Sequence, residues 1–455
     1  MAALLLPALL ACAPQQDPAV IARYQMLGKE AVVAREDVAL EMAFHLRRKD
    51  EGRAACDHLV SATLVKKEAE AKGLMPKAEE VQEFWNKLQQ QLRASGKRPE
   101  EIAVVKNSGD ELLQDLAVQL AHERLVRKEL ELRANETVGP EMLKLWLQEA
   151  KKRHHVIDDP DQLPLGTAAR YDDQTLSLVD LGNLLLRTSD ADDQLRFVRQ
   201  VVVLQTLEAM AKQHDIDVTA DELQQELVQR RNSANADPSF QGIGYEQLLK
   251  AQGLTPDWLL HSRVFRGQVL QQKIVVKLHP LPELLAKVAA DRQAALDNSG
   301  PRRRLSMIYL RALQEPNPLV PRTFDQAIAE LVQARGRLQR EPFDRVAMVT
   351  SDDPASKQRG GDVGWFFRKN PGLPEPVLAA AFALQQNEIS KPLRCDDGCY
   401  LVKVVTIEPD PTDEQLALRM QEQLVGSMTQ EILQQAKVQL ESGTGRTTGK
   451  TTGKK

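Results

Sequence analysis

A chain of 455 residues is too long for one ordinary core and implies two to four domains. Its net charge of −4 is small for that length and lacks the basic footprint expected of a nucleic-acid binder. Leu, Ala, Gln, Glu and Arg abound while aromatics make up only 4%, which predicts a mostly helical protein, and no apolar run is long enough to cross a bilayer as a helix.

The first segment, 1–20, opens with MAALLLPALLAC, apolar from Met1 to Cys12 and too short to span a membrane. It reads as the hydrophobic part of a secretory signal, although no Lys or Arg precedes it. Leu9-Leu10-Ala11-Cys12 resembles a bacterial lipobox, in which the signal is cut before the cysteine and that thiol is lipidated. The expectation is export, with Cys12 as a membrane anchor and APQQDP as a polar tether. Of the other cysteines, Cys56 falls in a helical pattern and reads as a buried thiol.

Residues 21–165 form a first helical module. Glu30-Ala31-Val32-Val33 predicts a brief strand, after which Arg35-Glu36-Asp37-Val38 opens a helix. A longer helix over 51–72 stops at Gly73 with Pro76 beyond it. The next starts near Ala78 and carries Val81, Phe84, Trp85 and Leu88 at helical spacing. Gly96 and Pro99 interrupt the pattern before a helix over 110–132. His154-His155, beside three basic residues, reads as a solvated helix end rather than a metal or anion site.

The same order recurs over 166–282. The stretch from Thr175 to Leu181 stands where Val32 to Val38 stood, and a helix covers 193–213. The passage from His214 to Leu223 matches that from Lys72 to Val81: a turn, a small polar residue, then a helix start with acids in its first turn. Gly253-Leu254-Thr255-Pro256 echoes Gly96-Lys97-Arg98-Pro99, and a last helix follows to about 276. The two modules read as an internal duplication.

Prolines 280, 282 and 301 and Asp297-Asn298-Ser299-Gly300 predict a boundary. Beyond it, 300–410 has a different texture. It begins with a strand over 304–310, an amphipathic helix over 324–338 and a short helix over 343–349. RGGDVGWFF, at 359–367, is a glycine turn feeding a strand. A helix over 374–384 has Pro at its start. Two strands, 389–395 and 399–405, flank Asp396-Asp397-Gly398, a hairpin turn. Cys395 and Cys399 could face each other there as a disulfide, which export would permit, or stand as free thiols. No other ligand cluster accompanies them, so no metal is expected. The segment is thus a small α+β domain in an α+β multidomain chain. Helix 412–441 follows within 411–442, with Leu416, Met420, Leu424, Met428, Ile432, Ala436 and Leu440 on one stripe, expected to pack on the helical body. The tail 443–455 is basic and low in complexity, and reads as disordered.

Residues 302–408 resemble a parvulin-type (PpiC) peptidyl-prolyl isomerase domain. The match is carried in order by Ser351-Asp352-Asp353, by RGGDVGWF, by Ala380-Ala381-Phe382-Ala383-Leu384, by Glu388-Ile389-Ser390-Lys391-Pro392-Leu393, and by the stretch from Gly398 to Val404. The helices on either side resemble envelope foldases of the SurA and PrsA type, in which an N-terminal helical module and a C-terminal helix make a chaperone body. The resemblance implies a four-stranded antiparallel sheet, an apolar groove for extended proline-containing polypeptide, and no cofactor. Leu373, Val377 and Phe382 match positions lining the proline pocket. Trp365 and Phe366 read first as core beneath the groove, with Trp365 also a candidate contact.

Such domains carry a histidine in the first strand, another in the last, and a Cys or Asp between them. Here Asp353 holds the middle position, while Met307 and Tyr400 stand where the histidines would be. These three are the candidate catalytic residues. Tyr400 could offer its hydroxyl to Asp353; the competing reading of Asp353 is a turn residue before Pro354. The double-arginine loop that reads phosphate in some parvulins has no counterpart in the stretch from Gln314 to Pro321. Two functions follow: an exported, lipid-anchored foldase that isomerises X–Pro bonds of unfolded envelope or secreted proteins, or a weak or inactive rotamase fold kept to hold extended polypeptide.

Overall fold

The computed structural model describes residues 19–108, 111–133, 135–236, 243–369 and 372–441. Cys12 and the basic tail lie outside the described residues. The chain falls into two compact units, one built from residues up to Gln271 and from Met428 onward, the other from Gln272 to Ser427.

The first unit opens with strands β1 (Val20–Met26) and β2 (Lys29–Ala34), paired antiparallel around Leu27 and Gly28. Both turn residues have positive φ, which makes the turn as tight as two residues allow. Helices α1 (Arg35–Leu46) and α2 (Asp50–Lys72) follow. Gly73, left-handed at φ 64°, ends α2, and the Leu74 N–H returns to the Ala69 carbonyl at 2.8 Å. Then come α3 (Ala78–Ala94), a 3₁₀ turn at Pro99–Glu101, α4 (Ala103–Ser108), α5 (Glu111–Glu129) and α6 (Pro140–Arg153).

A second hairpin, β3 (Thr167–Tyr171) and β4 (Gln174–Ser177), leads to α7 (Leu178–Thr188), α8 (Ala191–Gln213), α9 (Ala220–Ala236), α10 (Tyr245–Ala251), α11 (Pro256–Leu260) and α12 (Arg263–Leu278). The parallel with the first hairpin extends to lengths. The helices after it have 11, 23 and 17 residues, against 12, 23 and 17 for α1, α2 and α3. The matching helices α1 and α7 pack on each other. Gly182 allows the approach, since a Cβ there would stand 1.9 Å from the Ala39 carbonyl oxygen. Around this crossing lies the main core, including Val38, Met42, Leu46, Cys56, Leu64, Leu181, Leu185 and Phe197.

The second unit begins at Gln272, within α12, and the stretch marked by prolines 280, 282 and 301 holds helices α13 (Leu281–Ala290) and α14 (Arg292–Ser299). Pro282 lies in the first turn of α13, where a missing N–H costs nothing, so proline here starts a helix rather than breaking one. Strand β5 (Arg303–Arg311), α15 (Phe324–Arg337), α16 (Phe343–Thr350), α17 (Pro354–Lys357), β6 (Asp362–Phe366), α18 (Glu375–Ala383), β7 (Leu393–Cys395) and β8 (Gly398–Ile407) follow. The strands form a four-stranded antiparallel sheet in the order β6-β5-β8-β7.

Helix α19 (Asp413–Ala436) follows. Its early residues Leu416 and Ala417 are buried with Leu284, Val288 and Ala295 of the second unit. Ala436, at its end, belongs to the main core of the first unit, where strand β9 (Gln439–Leu440) pairs with β1. The helix ends five residues before the position expected from its apolar stripe, because Leu440 is used as a strand residue.

Candidate functional site

The four-stranded sheet separates two apolar clusters. Alternation along β5 and β8 sends Ile308, Leu310, Cys399 and Leu401 to one face, against α15 and α16. The other face carries Leu305 and Met307 of β5, Tyr400, Val402 and Val404 of β8, Phe366 of β6 and Cys395 of β7. Helix α18 covers part of that face with Val377, Leu378 and Ala381, and Tyr309, Val363, Leu373 and Phe382 pack at its margin, partly exposed.

Five of the residues singled out from sequence therefore meet in one cluster: Met307, Leu373, Val377, Phe382 and Tyr400. Val377 is wholly buried, and Leu373 and Phe382 flank it with exposed surface. The Arg303 guanidinium stands 5.0 Å from the Phe382 ring centre, with its hydrogen bonds going to carbonyls at the end of α18. Val363, in the middle of GGDVGW, joins the same cluster and was not among the sequence candidates.

The glycines of RGGDVGWFF have a definite task. Gly360, Gly361 and Gly364 all have positive φ, at 67°, 86° and 87°. The Gly361 carbonyl accepts the Met307 N–H at 2.8 Å, and a Cβ on Gly361 would lie 2.6 Å from the Met307 carbonyl oxygen. The turn thus extends the sheet edge alongside Met307. Asp362 fixes its far side, accepting from Arg304 at 2.6 Å and from the Gly364 N–H at 3.0 Å. Burial pushes the Asp362 carboxyl up, but Arg304 and this N–H outweigh it and hold it below the ordinary value.

Trp365 departs from the core reading. It is 40% exposed, with the Arg302 guanidinium 5.4 Å from its ring centre, and it is outside the cluster that holds the pocket candidates. Period-two alternation explains this: its neighbour Phe366 points inward and takes the buried place.

Asp353 is the N-cap of α17. Its carboxylate accepts from the Ser356 N–H at 2.9 Å and from the Ser356 hydroxyl, and its own N–H donates to Ser351 Oγ at 3.3 Å. Ser351 Oγ in turn accepts from the Tyr309 N–H at 3.1 Å, so the Ser351-Asp352-Asp353 run is stitched to β5. The anticipated bond from Tyr400 to Asp353 is not made. The Tyr400 hydroxyl donates instead to the Asp397 carboxylate at 2.5 Å, three residues away across the hairpin turn.

Tyr309 was missed in the sequence. It stands directly opposite Tyr400 in the β5–β8 register, with ring centres 4.8 Å apart, and its hydroxyl donates to the Asp397 carbonyl at 2.6 Å. Gly398 makes room, since a Cβ there would meet the Tyr309 ring at 2.6 Å. Burial, then the Asp397 carboxylate, push the Tyr400 phenol well above its ordinary value. Burial raises Tyr309 as well.

Of the two readings for Cys395 and Cys399, disulfide or free thiols, the register excludes the disulfide. Cys395 pairs with Gly398, and Arg394 with Cys399, so the two cysteines are one step out of phase and leave the sheet on opposite faces. Each thiol is free and buried in a different cluster. Burial pushes Cys395 up to about 11. Cys56 is a free buried thiol, as expected.

Comparison with known proteins places this geometry. Residues 313–406 match the Rotamase family, described as the PPIC-type PPIASE domain. The chain is 35% identical over 81 residues to the foldase protein PrsA of Clostridium kluyveri, covering 18% of this chain and 24% of that protein. It is 41% identical over 106 residues to the chaperone SurA of Bordetella pertussis, covering 22% of this chain and 20% of that one. The match thus spans about a quarter or less of these curated relatives. Among solved structures, the peptidylprolyl isomerase PrsA from Bacillus anthracis is similar with a TM-score of 0.25 and 18% identity, covering 52% of this chain and 94% of that one.

Proposed function

We propose that this chain, whose residues 313–406 match the PPIC-type PPIase domain, is a foldase of the cell envelope whose rotamase domain turns X–Pro bonds of extended polypeptides. The observation that carries this reading is the gathering of Met307, Tyr400, Leu373, Val377 and Phe382, drawn from three separate elements and a loop, into one apolar cluster beside the glycine turn.

The chemistry asks little of side-chain reactivity. Rotation about an X–Pro amide meets a barrier of about 20 kcal/mol and takes roughly 10–100 s unaided. No bond breaks, so a site accelerates it by holding the twisted amide better than the planar one. Twisting removes resonance; the carbonyl oxygen loses negative charge, and a poorly solvating surround favours that change. A prolyl ring seated against Leu373, Val377 and Phe382 provides such a surround.

On this reading the helical unit is a tandem duplication that serves as chaperone body, and Cys12 carries a lipid that holds the protein at the membrane. The clients are unfolded, proline-containing polypeptides.

A second reading, retention of peptide without turnover, is favoured by one observation. Asp353 and Tyr400 both spend their polar atoms within the protein, on Ser356 and Asp397. A proline-limited refolding assay on the full chain separates the two. Acceleration that is lost in Leu373→Ala and Val377→Ala supports the isomerase. No acceleration above background, with binding of the unfolded client intact, removes it and leaves the holding function.

A further inference from the structure

All eight histidines of the chain lie before residue 280, so the domain that carries the prolyl site has no imidazole at all. What stands in that domain is an assembly drawn from two strands and a hairpin turn. Tyr309 on β5 and Tyr400 on β8 face each other, and both hydroxyls converge on Asp397 in the turn between β7 and β8, one on its carbonyl and one on its carboxylate. The pair forms one flank of the cluster that includes Met307, Val377 and Leu373.

We infer that Tyr309 and Asp397 are positioning residues of the prolyl site: together they hold the Tyr400 ring as a fixed wall of the cleft, and this wall keeps one protonation state where histidines change theirs. The inference rests on the isomerase reading. The buried Tyr400 phenol needs an acceptor, and Asp397 supplies it while also receiving the half-buried Tyr309 hydroxyl. With its hydroxyl turned to the hairpin, Tyr400 presents its ring, not a proton donor, to the cleft. The hydroxyl is held by Asp397 at one end of the Tyr400 side chain, and the ring packs on Tyr309 with centres 4.8 Å apart.

The charged and titratable groups around the pair are Asp397, Arg311 and Asp352 beside Tyr309, and Asp397 and Cys395 beside Tyr400. Cys395 is pushed up to about 11 and both phenols are raised, so neither the thiol nor the phenols change charge between about pH 5.5 and 8.5.

The test uses the full chain and a succinyl-Ala-Leu-Pro-Phe anilide, with isomerisation read directly by absorbance. Wild-type kcat/KM is expected to vary by less than about twofold between pH 5.5 and 8.5, while Tyr400→His introduces a step near the ordinary imidazole range of about 6.5. Asp397→Ala is expected to lower kcat/KM by about tenfold, mostly through KM, the scale of one hydrogen bond to a charged group. Asp397→Asn, whose amide oxygen still accepts the phenol, recovers most of that loss, and Tyr309→Phe loses about threefold. A wild-type step between pH 6 and 7, or an Asp397→Ala protein with unchanged kcat/KM, overturns the inference. Absence of turnover in the wild type at every pH removes the isomerase reading instead. The wall is then read by anisotropy of a labelled Ala-Leu-Pro-Phe peptide: weaker binding to Asp397→Ala supports it, and equal binding overturns it.

Discussion

Glu408 offers a direct test of what holds the second unit together. It follows β8, and its side chain is 18% exposed. Its carboxylate accepts from Arg302 at 2.8 and 3.2 Å, from the Arg302 N–H at 3.1 Å, and from Arg419 of α19 at 2.8 Å. Burial alone would raise this carboxyl, but the two guanidiniums and the N–H outweigh it and bring it down to about 2 from an ordinary 4.5. A carboxyl depressed on folding adds stability above its unfolded value and loses it as pH falls through its folded one. A gap of about 2.5 at about 1.4 kcal/mol per pH step gives roughly 3 kcal/mol at pH 7, falling to about 1 kcal/mol at pH 3. Glu408→Gln is therefore expected to cost about 2–3 kcal/mol at pH 7, a loss of roughly 30–160-fold in hydrogen-exchange protection of β8 amides. At pH 3 the variant and the wild type should differ by less than about tenfold. Equal protection at pH 7, or a difference that does not shrink on acidification, would refute the charge argument and leave Glu408 as ordinary surface.

The remaining predictions concern the turn and the thiols. Gly361→Ala combines a left-handed φ with a Cβ 2.6 Å from the Met307 carbonyl and 3.0 Å from Ala347 Cβ. It should cost roughly 3 kcal/mol or more and abolish prolyl turnover; exchange protection over 351–366 and the anilide assay check both effects. Because Cys395 and Cys399 leave on opposite faces, reductant should change neither the melting temperature nor electrophoretic mobility. A single Cys395→Ser variant should cost more than it would on the surface, since it buries a hydroxyl in an apolar cluster, and thermal unfolding measures this.

Much of this arrangement was legible because it depends on residues close together in sequence. Gly73 ends α2 by adopting the angle that only glycine takes easily, and Thr323 with Gln326 caps α15 from three residues apart. RGGDVGWFF could be read as turn plus strand for the same reason. What was not legible depends on register. That Tyr309 faces Tyr400, ninety-one positions away, follows only from how β5 and β8 align, and a shift of one residue would send both rings elsewhere. The same register decides the cysteines. Had the hairpin been assigned a two-residue loop at Asp396 and Asp397, parity alone would have put Cys395 and Cys399 on different faces. Strands β1 and β3 escaped notice because their exposed residues, Arg23 and Arg170, sit among apolar ones without clean alternation. Helix α13 was not legible at Pro282 because proline is tolerated in the first turn of a helix and breaks one only in its interior.

A tyrosine at 400, where the resemblance implies a histidine, has a consequence beyond one position. The expected contact runs from the Tyr400 hydroxyl across the site to Asp353. A phenol at 400 extends further along the sheet face and delivers its oxygen to the hairpin tip, where Asp397 receives it. Left without that acceptor, a buried hydroxyl would cost about 1–3 kcal/mol, comparable to the whole benefit of burying the ring. Tyr400 is therefore tolerable only with an acceptor at 397, whereas Met307, having no strong polar group, needs none. Asp353 caps α17. The polar atoms of Asp353 and Tyr400 are used on Ser356 and Asp397, and Met307, Leu373, Val377 and Phe382 between them are apolar. A prolyl amide there meets no strong donor, so any acceleration must come from shape and desolvation, and Leu373→Ala should reduce turnover more than Asp353→Asn does.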